Sequence, residues 1–191
     1  MLLKMPHNSI EVIDSTRLLG TIIQNDLKWD LNTAEIVRKA NARMELVRKV
    51  ASFGTTQDEL KEIYILFIRS HLEQSAVVWH SSLTENNSND LERVQKTAFK
   101  IILGDKYRSY DLALQKLGLE TLHDRRKSLC LSFAKKCCKN IKTADMFPRN
   151  SKMHNMETRQ PDVFKVQHAN TERLLKSSII YMQNLLNDDF T

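Results

Sequence analysis

Apolar residues recur at helical spacing along most of this chain, broken by short polar turns. The densest run lies between Ile63 and Gly104. It reads as an apolar helix carrying Trp79, a polar stretch Thr84–Asn89, and a second, amphipathic helix with Leu91, Val94, Ala98, Ile101 and Ile102 facing inward. The first of these helices opens at Thr56, with Glu59 at capping-box spacing, and carries Leu60, Ile63, Tyr64, Phe67, Ile68, Leu72, Ala76 and Trp79. So wide a stripe predicts the most buried helix of the fold. Ser88 or Asn89 is the expected cap of the second helix, and Gly104 its stop.

Upstream, residues 9–29 read as a hairpin, with Ser9–Val12 and Arg17–Ile23 as strands and Asp14-Ser15-Thr16 as the turn. Gly20 within the second strand marks a bulge or a close approach of another backbone. Leu27 and Trp29 anchor the exit. A lone hairpin is marginally stable, so this one must dock. A helix over Leu31–Ser52 follows, with Asn32 and Glu35 spaced as a capping box and Gly54 as its stop. Its core face is Ile36, Val37, Ala40, Met44, Val47, Val50 and Ala51; Lys39, Arg43 and Arg48 lie off that face.

Downstream, Ser109 and Gly118 bracket a short helix over Tyr110–Leu117, and Thr121-x-x-Asp124 starts one reaching about Asn140. In the latter, Leu122, Leu129, Phe133 and Cys137 form an apolar line. Beyond Pro148 the periodicity is lost over Asn150–Pro161; Val163–Val166 reads as a strand and Glu172–Leu186 as one or two short helices in a loosely packed tail. The expected fold is mainly α: a helical bundle preceded by a short β-hairpin, with a partly irregular C-terminal extension. The corresponding divisions are 1–30, 31–142 and 143–191.

Composition agrees with helices, since four Gly and three Pro in 191 residues are too few for a sandwich or barrel. A net charge of +6 favours polyanionic partners. Cys130, Cys137 and Cys138 give no even disulfide framework, which points to a reducing compartment. Pro6 interrupts any signal segment, and no run reaches the ~20 apolar residues of a membrane span. The expectation is a soluble intracellular protein, cytoplasmic or nuclear, with no membrane partner.

No reaction centre is visible. Asp188-Asp189 lies at the chain's end, where two-metal chemistry lacks the rigid cleft it needs. His71 and His80 have no matching Cys pair, and His123, Cys130 and Cys137 recur every seven residues, unlike the closer spacings of zinc sites. Nucleophile-elbow and phosphate-loop motifs are missing. Basic stripes on three helices remain, which either meet phosphates or only keep a bundle soluble.

Four segments change that balance: RLLGTIIQNDLKW, IVRKANARMELVRKV, IYILFIRSHLEQSAVVWHSSLTENNSNDLERVQKTAFKIILG and ALQKLGLETLHDRRKSLCLSF. In this order they resemble the C-terminal part of reverse transcriptases from non-LTR retrotransposons, of the LINE-type, jockey- and CR1-like families. The likeness spans roughly residues 10–145, and TRQPDVFKV with SSIIYMQNLLN resembles the region just downstream in jockey-like elements. Asn32 stands where a histidine is usual, and Gln74 where an aromatic is usual.

The resemblance implies that Arg17–Trp29 closes a palm and grips the primer end, with Leu19 and Gly20 as primer-grip-like residues. Leu31–Gly104 would be the thumb on a template–primer duplex. The catalytic palm, with its Tyr-x-Asp-Asp turn and its magnesium, would lie upstream. This chain would then be a remnant or a separately expressed thumb with no catalytic residue and no cofactor of its own, unable to act alone as an RNA-directed DNA polymerase. Its partner would be an RNA–DNA hybrid or other nucleic acid. The expected phosphate contacts are Lys39, Arg43, Arg93, Lys96 and Lys100, followed by Arg125 and Arg126; Lys135–Lys142 equally suits a solvated face. The rival expectation is a helical protein–protein interaction module with no nucleic-acid role. In it, Leu18, Ile22 and Trp29 would be covered by a palm or by a second copy.

Overall fold

A computed structural model describes residues 2–4, 9–150 and 163–189. The fold is mainly α with a short β-hairpin near its start, as the periodicity implies. Strands β1 (Leu2–Lys4) and β2 (Ser9–Glu11) pair antiparallel, and so do β3 (Ser15–Leu18) and β4 (Thr21–Gln24). The expected pairing of Ser9–Val12 with Arg17–Ile23 is therefore replaced. Ser15 and Thr16 belong to a strand, and the turn falls on Leu19-Gly20, at φ 48° and 86°. Two consecutive positive φ values match the primed turns that suit a twisted hairpin. Gly20 is also a close approach: a Cβ there would sit 2.8 Å from Gln74 Nε2.

The hairpin docks on α1 (Asp30–Ser52) through side-chain amides. Asn32 Oδ1 accepts from Ile22 N at 3.0 Å, and Gln24 Oε1 accepts from Leu31 N at 3.0 Å. Asn32 is thus buried as a tether instead of capping the helix, and Gln24 satisfies a free N–H of its first turn. Trp29, expected on an exposed hairpin face, is buried in the bundle core. The α1 core face is as expected from Ile36 to Val47, and Gly54 follows its end at φ 80°.

Thr56 and Glu59 form the expected capping box at the start of α2 (Gln57–Ile63). The chain continues as a π-helical segment, Tyr64–Arg69, and α3 (Ser70–Leu72). Leu60, Tyr64, Ile68, Leu72 and Ala76 are all buried, at a spacing of four. On an ideal α-helix each such step overshoots one turn by ~40°. The wider π turn absorbs part of that drift and keeps these side chains on one line. It also leaves Phe67, expected inside, 48% exposed. Ser75 at φ 54° breaks the helix before α4 (Ala76–Trp79), and Trp79 Nε1 donates to Gln74 O at 3.0 Å across the break.

Helix α5 (Glu85–Leu103) starts earlier than expected, capped by Thr84, whose hydroxyl accepts from Asn87 N at 3.2 Å. The polar run is helical because its side chains find tertiary partners. Asn87 Nδ2 donates to Asp30 Oδ1 at 2.8 Å, and Ser88 Oγ accepts from Arg126. α5 packs along α1 and buries Leu91, Val94, Ala98 and Ile102 as expected, together with Gln95 and Phe99. Helix α6 (Tyr110–Leu117) runs between Ser109 and Gly118 as expected, and α7 (Leu122–Lys139) is capped by Thr121.

The buried face of α7 is Leu122, Arg126, Cys130, Ala134 and Cys137. It is rotated from the expected line, so Phe133 is 41% exposed. The rotation follows from a second core formed by Cys130, Ala134, Cys137, Phe147, Phe164, Met182, Leu185 and Leu186. Downstream, α8 (Glu172–Leu175) and α9 (Ser178–Asp188) are the two short helices read from the pattern. The described part of the tail is accordingly not loose, because α9 packs on α7 and α4. In place of the expected strand Val163–Val166, Phe164 forms an isolated bridge with Arg149. The stretch Asn150–Pro161 lies almost wholly outside the described residues. Among those described, no helix is long and apolar enough to cross a membrane.

Candidate nucleic-acid interface

Lys96 and Lys100 lie one turn apart on the outer face of α5, each over a ring from the segment C-terminal to that helix. Lys96 Nζ is 4.9 Å from the Tyr110 centroid, and Lys100 Nζ is 5.7 Å from that of Tyr107. Such contacts contribute about 0.5–1 kcal/mol at exposed sites, enough to bias a side chain without fixing it. Where α5 ends and α6 begins, a cleft of about 460 Å³ is lined by Leu103, Lys106, Arg108, Leu112, Gln115 and Lys116. Arg108 is steadied by donating to Asp105 O at 2.8 Å. Lys96, Lys100, Lys106, Arg108 and Lys116 form no ion pair among the described residues.

A buried polar network holds Tyr110 in place. Gln95 donates from Nε2 to Tyr110 Oη at 2.7 Å and to Glu120 O at 3.0 Å, while its Oε1 accepts from the Tyr64 hydroxyl. Tyr110 donates to Glu92, whose other oxygen accepts from His123 N at 2.8 Å. Burial and the Glu92 carboxylate both push the Tyr110 phenol far above its ordinary range, so it stays a donor. Gln95 lies between Leu91 and Ala98 on the inward stripe, and that position was the sequence signal for a buried amide.

The other expected phosphate contacts meet different surroundings. Arg93 is 75% exposed and paired with Asp90 at 2.6 Å. Lys39 pairs with Glu35 at 3.4 Å, beside Arg38 and Arg17. Arg38, followed by Lys39, holds the Glu35 carboxyl down at about 2. Arg43 donates to Phe67 O, a carbonyl of the π segment, at 3.2 Å. Arg43 and Lys39 both act on His71, so they form a separate small cluster. Arg125 bridges Glu73 at 3.2 Å, a carboxylate shared with Arg69, and Glu120 at 3.9 Å. At the hairpin tip, Leu19 is 91% exposed and Gly20 faces Gln74.

Arg126 cannot be a surface phosphate contact as it stands, because it is fully buried. Its Nε donates to His80 Nδ1 at 3.3 Å and its Nη2 to Ser88 Oγ at 3.2 Å, and its guanidinium lies 5.8 Å from the Trp79 ring. Burial, and then Arg126, depress the His80 imidazole to about 3. The signal in the sequence was spacing: Arg126 is four residues from both Leu122 and Cys130.

Asp189 pairs with Lys135 at 2.7 Å. Among the described residues, no group of three or more His, Cys, Asp or Glu is placed to hold a metal ion. Comparison with protein-family models, with curated proteins and with solved structures finds no match to this chain.

Proposed function

We propose that this chain binds the backbone of a nucleic acid, an RNA–DNA duplex in the first instance, through the outer face of α5 and the start of α6. In this reading it is the thumb of a reverse-transcriptase-like polymerase. It contributes no catalysis, and the polymerising palm with its magnesium is supplied from outside this sequence. The observation that carries the reading is a set of five cations, Lys96 and Lys100 on α5 and Lys106, Arg108 and Lys116 around the cleft that Leu103 of the same helix lines, with no ion pair among the described residues. Cations already paired give little when a phosphate arrives; unpaired ones release counterions and make affinity salt-dependent. Two tyrosine rings beside them add surface for a ribose or an end base.

Filter binding with an RNA–DNA duplex tests this. Affinity at low salt should fall linearly on a log–log plot against salt, and Lys96→Ala should reduce the slope by about one. Absence of salt-dependent binding at low salt overturns the reading.

One observation favours the rival interaction module: Leu18 and Leu19 at the hairpin tip are 58% and 91% exposed. A palm or a second copy would cover them. Light scattering that shows a dimer abolished by Leu19→Ser would support that reading.

A further inference from the structure

A second cleft, of about 310 Å³, lies on another part of the molecule, lined by His80, Ser81, Ser88, His123 and Tyr181, with Glu85 exposed among its walls. Arg126 stands directly behind two of these residues, bonded to His80 and Ser88. Its Nη1 is buried and has no hydrogen-bond partner among the described residues, and neither does the buried Oγ of Ser81. Among the described residues, no carboxylate lies within ion-pair distance of Arg126. The two that act on it from further away are engaged elsewhere, Glu92 by Tyr110 and the His123 amide, and Glu73 by Arg69 and Arg125.

A buried cation without a counter-charge is costly, and a structure that keeps one invites an anion. The cleft also receives the first turns of two long helices, α5 at Thr84–Ser88 and α7 at His123. Both present partial positive charge there, offset in part by one acid in each first turn, Glu85 and Asp124. Ser88 Oγ accepts from Arg126 and leaves its own proton to donate outward. His80 accepts at Nδ1, so its ring proton sits on Nε2, 3.4 Å from the Tyr181 hydroxyl. The hydroxyls of Ser81 and Ser88 are thus open donors on this space, while the carboxylates near it are Glu85 in its wall and Asp124, whose Oδ1 lies 3.4 Å from His123 Nδ1.

We propose that this cleft binds a phosphate group, with Ser81 and Ser88 as direct donors, His123 at its edge held by Asp124, and Arg126 supplying the charge through Ser88. Free phosphate and the 5′-phosphate end of a polynucleotide share this chemistry. The site does not depend on the α5–α6 surface, so the two can fail separately.

The test is titration of the full chain with inorganic phosphate against sodium chloride of equal ionic strength, read from the histidine ring resonances and the melting temperature. Saturable shifts of His80 and His123 are expected. Ser81→Ala should weaken phosphate binding about tenfold, as for loss of one charge-assisted hydrogen bond. The Lys96→Ala/Lys100→Ala double variant should leave it unchanged. A preference for 5′-phosphorylated over 5′-hydroxyl duplex that Ser81→Ala removes assigns the polynucleotide end, whereas equal binding of both ends assigns free phosphate. A response no greater than that to chloride, or one untouched by Ser81→Ala and Ser88→Ala, makes the buried guanidinium purely structural and overturns the proposal.

Discussion

Lys100 and Arg126 carry the same charge on two regions of this protein, the outer face of α5 and the inner face of α7, and meet opposite surroundings. Lys100 is exposed beside a tyrosine ring, free to exchange counterions. Arg126 is fully enclosed, bonded to His80 and Ser88 and stacked near Trp79. Neighbouring Arg125 takes a third course, clamped between Glu73 and Glu120. Basic residues therefore do not add up to a binding surface by number. Only those whose helix face points outward, away from carboxylates, remain available to a polyanion.

The sharpest way to break this contrast is truncation on each side. Arg126→Ala should cost about 3 kcal/mol of stability in urea denaturation, from lost packing and two stranded partners, His80 and Ser88. Lys100→Ala should stay within about 0.5 kcal/mol. Equal losses would show that the two sites are not energetically distinct.

Next in size is Gln95→Leu, which leaves the buried Tyr64 hydroxyl without its acceptor and Tyr110 without a donor. It should cost about 2 kcal/mol. If the Tyr110 ring also shifts, the salt-dependent affinity contributed by Lys96 falls with it, which would tie the outer surface to the inner network.

A smaller, pH-dependent effect belongs to the buried side alone. His80 has its folded value depressed from 6.5 to about 3, so between those values the unfolded chain binds more protons. Stability is therefore greatest above pH 6.5 and declines as pH falls toward 3; His71, also depressed, contributes with the same sign. Glu35, depressed from 4.5 to about 2, adds its own loss only below pH 4.5. Melting temperatures between pH 7 and pH 5 should fall in the native chain and flatten in His80→Gln. The smallest expected change is Lys96→Ala: no shift in melting temperature, and a binding slope reduced by about one.

Much of the fold was legible because its signals act within one helical turn. The capping box at Thr56 and Glu59, the brackets Ser109 and Gly118, and the cap at Thr121 all lie where side-chain spacing put them. The α1 stripe from Ile36 to Val47 was equally plain. The hairpin register was not, because Leu19-Gly20 lacks the usual Asn-Gly signature and its leucine takes a positive φ. Nor was the start of α5, since the run Glu85–Asn89 reads as a loop until Asp30 and Arg126 supply partners for Asn87 and Ser88. Of the candidate surface, Lys96 and Lys100 were visible as an outward stripe. Lys106, Arg108 and Lys116 gather around one cleft with Leu103 of α5 because α6 packs against that helix.

The sequence by itself determined the mainly helical class, most of the helix boundaries and the inward stripes of α1 and α5, since each rests on periodicity and capping between near neighbours. Tertiary structure alone decided which way α7 turns, and with it whether Arg126 is a surface cation or a buried one. The reason is physical: the groups that receive Arg126 lie 46 and 38 residues away, at His80 and Ser88, and a charge's surroundings are set by what packs against it in space.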